Sequence, residues 1–411
     1  MSLHKNAGVY ETALRRLLPS RQHGLLLKAC LCEREVAASA WLEFAAEAQD
    51  LKAYFEADQM GLKGMLPFIE ASLRDKGIDA GKTFHTYARV ALVREELRGK
   101  IYGEILDSVL AAFDAAAIPV VLLKGAVHSA TNYPQPSTRH NHAIDLLVNT
   151  TQMTAAQAIL SSIKFSIKPL GFGAAFHRNF RHSTGLALGL HSKLLFLPHF
   201  DMPLDRIRDR TRSIQIGGRS VSVMSPEDSL VHICGHATYS RSRANLRWAC
   251  DAFYLLQRPP ELDWHAVTDT AVRSRLALPV LVLLRWLKET LMVSIPAERL
   301  DALHQRSKVI DDLTAEGIYA SLLHAMLSRG RALRGFGASR WVQLGFLKFS
   351  AFPSPTYVRW RHNIDRDWLL PLYYADRPRR FALHAMSCAA RKVRGKGMSD
   401  GPDISAMEDI A

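Results

Sequence analysis

A short apolar run that ends in a lysine and a glycine is the first feature of this sequence that could do chemistry. Leu122 and Leu123 are followed directly by Lys124 and Gly125. Where such a strand ends, backbone N–H groups and an ammonium group can approach a phosphate. Downstream, the planar guanidinium of Arg139 could bind a phosphate through two parallel hydrogen bonds. These residues predict an anion-binding site.

The chain between residues 146 and 200 contains basic residues but no aspartate or glutamate. Arg178, Arg181 and Lys193 lie in this stretch and are further candidates for phosphate binding. The alternative for each is an ordinary solvent-exposed charge. An electropositive surrounding of this kind favours an anionic ligand over a hard cation.

Asp145 is the candidate acidic residue of the same region. It lies in an apolar segment, residues 143–148, that is typical of a buried strand. Side chains alternate along a strand, so an ideal strand would place Asp145 on one face with Arg139, Asn141 and Ala143. His140 and His142 would lie on the opposite face. Two roles for Asp145 are therefore open: weak metal binding, or an ion pair with Arg139.

The order of these motifs resembles that of a known group of proteins. Leu-Lys124-Gly, Tyr133-Pro, Arg139 and Asp145-Leu-Leu-Val follow one another, and Ser225-Pro-Glu-Asp opens a helical half. This succession is similar to that of the uncharacterised nucleotidyltransferase family within the polymerase-β-like superfamily. The resemblance extends over about residues 10–380.

The resemblance implies a site that binds a nucleoside triphosphate and transfers a nucleotidyl group to an acceptor. The implied acceptor is a small molecule, a peptide or a polysaccharide precursor. In such a fold, three carboxylates hold two Mg²⁺ ions that activate the attacking hydroxyl and neutralise the phosphates. Of these carboxylates only Asp145 is present, since Ala143 and Gly189 stand where the others are expected. We therefore expect impaired catalysis and weak Mg²⁺ binding. Ala143→Asp combined with Gly189→Glu should raise the affinity for Mg²⁺.

Two other classes of function remain open. The missing carboxylates favour a non-catalytic relative that senses a nucleotide or phosphate, or that serves as a partner-binding scaffold. The third class depends on residues 331–396, which contain fourteen basic and three acidic residues among many aromatic ones. Such a segment could bind nucleic acid or an anionic membrane surface. Alternatively, it wraps the globular body with its aromatic rings buried.

Periodicity predicts an α+β fold in which a central mixed sheet is flanked by helical regions. Strands are expected at residues 118–123, 143–148, 186–190 and 194–197, and a glycine hairpin at residues 212–223. The predicted units are an N-terminal helical region (1–113), a nucleotidyltransferase-like α/β core (114–224), a helical domain (225–330), the basic aromatic segment (331–396) and a tail expected to be disordered (397–411).

Composition excludes some classes of protein. The chain has 411 residues, a formal charge of +14 and five cysteines. Its longest apolar run, residues 276–284, is much shorter than the ~20 residues of a membrane span. Few cysteines in odd number and no apolar leader at the N-terminus predict a cytoplasmic protein with reduced thiols. The histidines at 140, 142, 232 and 236 are expected in ordinary packing or at the surface, and Glu95 and Glu96 on a solvated helix face.

Overall fold

The computed structural model describes residues 7–57, 61–168, 176–239, 246–258, 262–327, 345–346, 348–349, 352–364 and 366–375. Its helices are α1 (Ala7–Arg15), α2 (Arg21–Leu31), α3 (Arg34–Ala48), α4 (Leu51–Ala57), α5 (Leu66–Asp75), α6 (Lys82–Ala115), α7 (Lys124–Thr131), α8 (Met153–Ser162), α9 (Leu204–Asp209), α10 (Pro226–Thr238), α11 (Arg247–Leu256), α12 (Trp264–Arg273), α13 (Ala277–Leu291), α14 (Ala297–Arg306), α15 (Asp312–Leu327) and α16 (Pro355–His362). None of the helices in these ranges is long and apolar enough to cross a membrane.

A seven-stranded mixed sheet forms the centre of the described structure. Its strands are β1 (Val121–Leu123), β2 (Ala143–Leu147), β3 (Phe165–Ile167), β4 (His177–His182), β5 (Ala187–His191), β6 (Arg212–Ile216) and β7 (Arg219–Val223). The spatial order is β3-β4-β5-β2-β1-β7-β6. β2 runs parallel to β5 and antiparallel to β1, and β1 runs parallel to β7. The predicted α+β class, with helices before and after the sheet, is confirmed.

Alternation along the strands gives the sheet two different faces. Leu122, Ile144 and Leu188 point to one face, where they are buried with apolar residues of α6 and α8. Asp145 and His191 point to the opposite face, because they lie an odd number of positions from these apolar residues. The helical half of the chain covers this second face, so any polar side chain there faces a partly enclosed space.

A capped helix starts the C-terminal helical region, as the sequence predicts. The Ser225 side chain accepts a hydrogen bond from the Asp228 backbone N–H at 3.1 Å, and Pro226 is the first residue of α10. This arrangement satisfies one of the free N–H groups of the first turn. It fixes where α10 leaves the sheet and passes over its polar face.

Several local expectations differ from the structure. Residues 194–197 form no strand, whereas β3 and β4 were not anticipated. Glu95 is buried, because its carboxylate accepts hydrogen bonds from His140 Nδ1 at 2.7 Å and from Arg98 at 2.9 Å. A solvated face was the wrong prediction for Glu95, since His140, a distant partner in the sequence, lies against it in the fold.

The basic aromatic segment lies largely outside the described residues. Where it is described, four of its aromatic side chains, Phe346, Phe349, Tyr357 and Trp360, are buried in the main apolar core. Phe352 and Trp368 are exposed. For the buried rings the structure supports packing against the globular body. The predicted tail at residues 397–411 and most of residues 331–396 lie outside the described ranges.

Candidate functional site

A cavity of about 480 Å³ lies over the polar face of the sheet. The ends of β1, β2, β4 and β5 form its floor, and α10, α11 and the segment after β5 form its walls. Its polar lining includes Lys124, Arg139, Asn141, His142, Asp145, His177, Asn179, His191, Lys193, His232, His236, Arg247 and Asp251. The cavity therefore brings together residues from both sides of the predicted boundary at residue 224.

Lys124 and Asp145 form an ion pair at the floor of the cavity. Lys124 Nζ donates to Asp145 Oδ1 at 2.8 Å, and His191 Nε2 donates to the same oxygen at 2.8 Å. Burial alone would raise the pKa of Asp145, but the Lys124 ammonium and the His191 hydrogen bond hold it well below its usual value. Asp145 is therefore a carboxylate that is paired within the protein, and its partner is Lys124 and not Arg139.

Lys124 is held at an unusual backbone position. Its φ of +53° lies in the left-handed region that side-chain-bearing residues rarely adopt. The residue sits at the junction between β1 and α7, where the chain turns abruptly from strand to helix. Such strain persists only when surrounding contacts fix it, and here the ion pair with Asp145 is one such contact.

A second histidine extends the hydrogen-bonded group across the sheet. The Nδ1 atoms of His177 and His191 are 3.0 Å apart, and His177 Nε2 lies 2.9 Å from the Asn179 amide. Burial first, and then the Lys124 ammonium, lower the pKa of His191 to about 3. The network thus fixes both imidazole rings in the cavity floor.

Gly189 leaves the space that the Asp145–His191 hydrogen bond occupies. Gly189 lies directly opposite Asp145 on the neighbouring parallel strand. A Cβ atom at this position would lie 2.8 Å from His191 Nε2 and 2.9 Å from Asp145 Oδ1. A side chain at residue 189 would therefore displace this pair, and the expected gain in Mg²⁺ affinity from Ala143→Asp with Gly189→Glu stays a prediction.

Arg139 is engaged by a carboxylate of α11. Its Nε donates to Asp251 Oδ1 at 2.9 Å and its Nη2 to Asp251 Oδ2 at 2.7 Å. Nη1 donates to the Asn141 side chain, and the Tyr133 hydroxyl donates to Asp251. Gly125 permits this packing, since a Cβ there would lie 2.5 Å from Arg139 Nη1. Arg139 thus joins the sheet to α11, and its position does not support a two-point phosphate contact.

The three remaining basic candidates lie in different places. Lys193 lines the cavity with a side chain that is 42% exposed, and its Nζ is 3.7 Å from Asp201. Arg178 points to the other face of the sheet and bonds Gln157 of α8, and Arg181 is exposed and donates to the Gly185 carbonyl. Neither Arg178 nor Arg181 lines the cavity. Of the three, only Lys193 is placed to meet a ligand there.

The sequence did not indicate most of the other polar residues of the cavity. Asn141 lines the cavity with Asp145, as strand alternation predicts, whereas His142 precedes β2 and lines the same cavity, against the expected opposite face. The burial of His232 and its 3.0 Å contact with the Leu194 carbonyl depend on the segment after β5. Burial, and then Arg247, lower the pKa of His142 to about 4. The spacing of residues 177 and 179 is a further pattern that could have placed side chains on this face.

The donor set of the cavity does not fit a pair of Mg²⁺ ions. Hard cations bind several oxygen ligands, whereas Ala143 and Gly189 offer no side-chain oxygen and Asp145 already faces an ammonium group. Among the described residues, no group of three or more His, Cys, Asp or Glu side chains is arranged to hold a metal ion.

Comparisons with known proteins address the family of the chain. No curated protein matches it. Among solved structures, the antibiotic-resistance factor ANT(2'')-Ia is 15% identical, with a TM-score of 0.27, and the similarity covers 50% of this chain and 90% of that one. An antigenic nucleotidyltransferase-like protein from Paracoccidioides brasiliensis is 16% identical, with a TM-score of 0.28 and coverage of 48% and 95%. A family model described as uncharacterised nucleotidyltransferase matches residues 58–292, which include the whole sheet and α10 to α13, and the chain therefore belongs to the uncharacterised nucleotidyltransferase family.

Proposed function

We propose that the cavity binds the phosphate chain of a nucleoside triphosphate without Mg²⁺, and that nucleotidyl transfer to an acceptor is impaired. The observation that carries this proposal is the 2.8 Å contact between Lys124 Nζ and Asp145 Oδ1. In a metal-dependent site this carboxylate would face a divalent cation. Here the protein's own ammonium group faces it, so a fixed positive charge is already present.

The charges that line the cavity favour an anionic ligand. Of the described residues, the lining includes four cationic side chains, Lys124, Arg139, Lys193 and Arg247, and two carboxylates, Asp145 and Asp251. Each carboxylate is paired with a cation at 2.7–2.8 Å. The lining therefore carries two more cationic side chains than carboxylates, in a partly enclosed space where electrostatic attraction is stronger than in bulk water.

The same arrangement explains why transfer would be impaired. Nucleotidyl transfer depends on charge stabilisation as the bond to the leaving pyrophosphate breaks. Metal ions supply much of that stabilisation and also activate the attacking hydroxyl. Each ~1.4 kcal/mol of lost stabilisation slows a reaction tenfold. Without the carboxylates that hold the metals, the geometry supports binding and not turnover.

Calorimetric titration of ATP in the presence of Mg²⁺ and in the presence of EDTA tests the proposal. We expect ATP to bind at least as tightly in EDTA as with Mg²⁺, because the cavity receives the full charge of the free nucleotide. Binding that requires Mg²⁺ would overturn the proposal. Release of pyrophosphate from ATP, followed with Mg²⁺ and candidate acceptors, is expected to stay at the level of a protein-free control.

Two single substitutions place the binding site within the molecule. Lys193→Ala removes a cation from the cavity, and Arg181→Ala removes the same charge from an exposed position that does not line it. We expect about a tenfold weaker ATP affinity for Lys193→Ala and no change for Arg181→Ala. Equal losses would indicate attraction by the net charge alone.

Of the described aromatic rings in the basic aromatic segment, Phe352 and Trp368 are exposed, whereas Phe346, Phe349, Tyr357 and Trp360 are buried. Stacking on bases needs exposed rings, and Tyr357 and Trp360 are 5% and 7% exposed. Arg359, which lies between them, pairs with Asp367 at 2.8 Å. The partner-binding, nucleic-acid and membrane-surface roles stay predictions.

A further inference from the structure

Part of the cavity lining is aromatic, and the proposed binding of phosphate does not involve these aromatic side chains. Phe176, Phe196, Tyr239 and Trp248 line the cavity and are each only half-buried. Leu194, Leu195 and Leu197 add apolar side chains to the same lining. Phe196 and Tyr239, whose ring centroids are 5.2 Å apart, form an aromatic wall of this cavity.

The aromatic wall begins beside the charged floor. The ring of His191, which bonds Asp145, has its centroid 4.4 Å from that of His177. The His177 centroid is 6.1 Å from that of Phe196, and Phe196 lies 5.2 Å from Tyr239. The rings of His191 and His177 therefore lie between the Asp145 carboxylate and the Phe196 ring, and a ligand that carries an anionic group and a flat ring would span them.

The rings of this wall are held in place by their neighbours. Trp360 packs edge-on against Phe196 at 5.1 Å, and His324 stacks on Tyr239 at 4.2 Å. The Tyr239 hydroxyl lies 3.2 Å from His324 Nδ1. A ligand that stacks on such a surface has little side-chain freedom to restrict, so the conformational cost of binding is small.

We propose that Phe196 and Tyr239 form a subsite for the nucleobase, and that this protein binds purine nucleotides more tightly than pyrimidine nucleotides. The inference rests on the proposed binding of nucleoside triphosphates. Every nucleobase presents a π-face to an aromatic ring, and stacking accepts different bases because it needs no specific hydrogen bond. Purines offer the larger face and hence the larger contact with the wall.

Titration of the full chain with tripolyphosphate, ATP, GTP, CTP and UTP, all in EDTA, separates the two parts of the ligand. We expect ATP and GTP to bind at least tenfold more tightly than tripolyphosphate, and CTP and UTP to lie between. ATP affinity equal to that of tripolyphosphate would overturn the base subsite while leaving phosphate binding intact. Absence of binding by all five ligands would overturn the proposed function and this inference together.

Variants of Phe196 test whether stacking is responsible. Phe196→Leu keeps an apolar side chain and loses the ring, so we expect ATP affinity to fall to within threefold of that of tripolyphosphate. Phe196→Tyr keeps the ring and should keep the tighter binding of ATP. Phe352→Ala, at an exposed phenylalanine outside the cavity, is the control. If Phe196→Leu weakened tripolyphosphate as much as ATP while circular dichroism showed native fold, Phe196 would be a structural residue and the subsite would be wrong.

Discussion

Asp145 shows how the residues around a carboxylate determine what that carboxylate can bind. Gly189, directly across the parallel strand pair, lets His191 reach Asp145, and Lys124 completes the pairing at 2.8 Å. A buried charge of this kind is stable only while it is paired and hydrogen-bonded. The same aspartate beside a carboxylate at residue 143 and without the lysine would be a ligand for a divalent cation.

We expect Ala143→Asp combined with Lys124→Ala to create Mg²⁺ binding. The two carboxylates would lie on one face of β2, two residues apart, and the competing ammonium would be gone. Calorimetric titration with MgCl₂ should show at least tenfold tighter binding than for the unchanged protein. Gly189→Glu should instead lower the free energy of unfolding by about 1–3 kcal/mol, because its Cβ collides with two bonded atoms.

Urea unfolding of both variants provides the control for this comparison. If Ala143→Asp with Lys124→Ala folds and binds Mg²⁺ no better than the unchanged protein, the position of the expected metal site is wrong. If Gly189→Glu is as stable as the unchanged protein, the Asp145–His191 pair does not limit this position.

At the scale of elements, the position of α10 depends on close packing at Gly235 as well as on the cap at Ser225. A Cβ on Gly235 would lie 2.8 Å from Leu195 and 2.8 Å from Leu276. These leucines lie after β5 and just before α13, respectively. The helix therefore passes close to both elements at the cavity wall, and His232 and His236 reach the cavity from the same helix.

We predict opposite stability effects for glycine-to-alanine changes in two helices. Gly235→Ala should destabilise the protein by about 1–3 kcal/mol, because well-packed neighbours would have to move. Gly99→Ala, in the exposed part of the 34-residue helix α6, meets no atom within 4 Å and should stabilise by about 0.5–1 kcal/mol. Urea unfolding measures both. Stabilisation by Gly235→Ala would mean that α10 does not pack as closely as the structure shows.

At the scale of the whole molecule, several histidines are enclosed beside fixed positive charge. The pKa of His142 is lowered to about 4 and those of His191 and His232 to about 3. Burial is the larger cause in each case, and a neighbouring cation is the second. In the unfolded chain these groups take up protons near pH 6.5. The unfolded state therefore binds more protons than the native state below that pH, and acidification disfavours folding.

The free energy of unfolding should thus fall as the pH is lowered from about 6.5 to about 4, and should be insensitive to these groups above pH 7. Each histidine contributes up to about 1 kcal/mol per pH unit within this window. Urea unfolding at pH 7.5, 6 and 5 measures the slope. His232→Gln should reduce the slope, whereas His265→Gln, on an exposed part of α12, should leave it unchanged. An unchanged slope for His232→Gln would contradict the assignment.

Local sequence patterns predicted the strands, the turn and the helix start whose formation depends on residues close together in the chain. The apolar segments around Leu122 and Ile144 became β1 and β2, and the glycine pair at 217–218 became the turn between β6 and β7. Ser225 and Pro226 began α10. The short polar strand β4 was not predicted, because it forms through pairing with β5 and its own residues have no strong strand propensity.

The sequence by itself determined the mixed fold, the family resemblance, and the loss of carboxylates at residues 143 and 189, because residue type and order suffice for these. Only the tertiary structure decided which charges are paired. In the folded protein Arg139 pairs with Asp251, which lies 112 positions further along the chain, and Lys124 pairs with Asp145. Arg178 points away from the cavity. Ion pairs and cavity walls form between groups that are distant in sequence, and local periodicity carries no information about which of them meet.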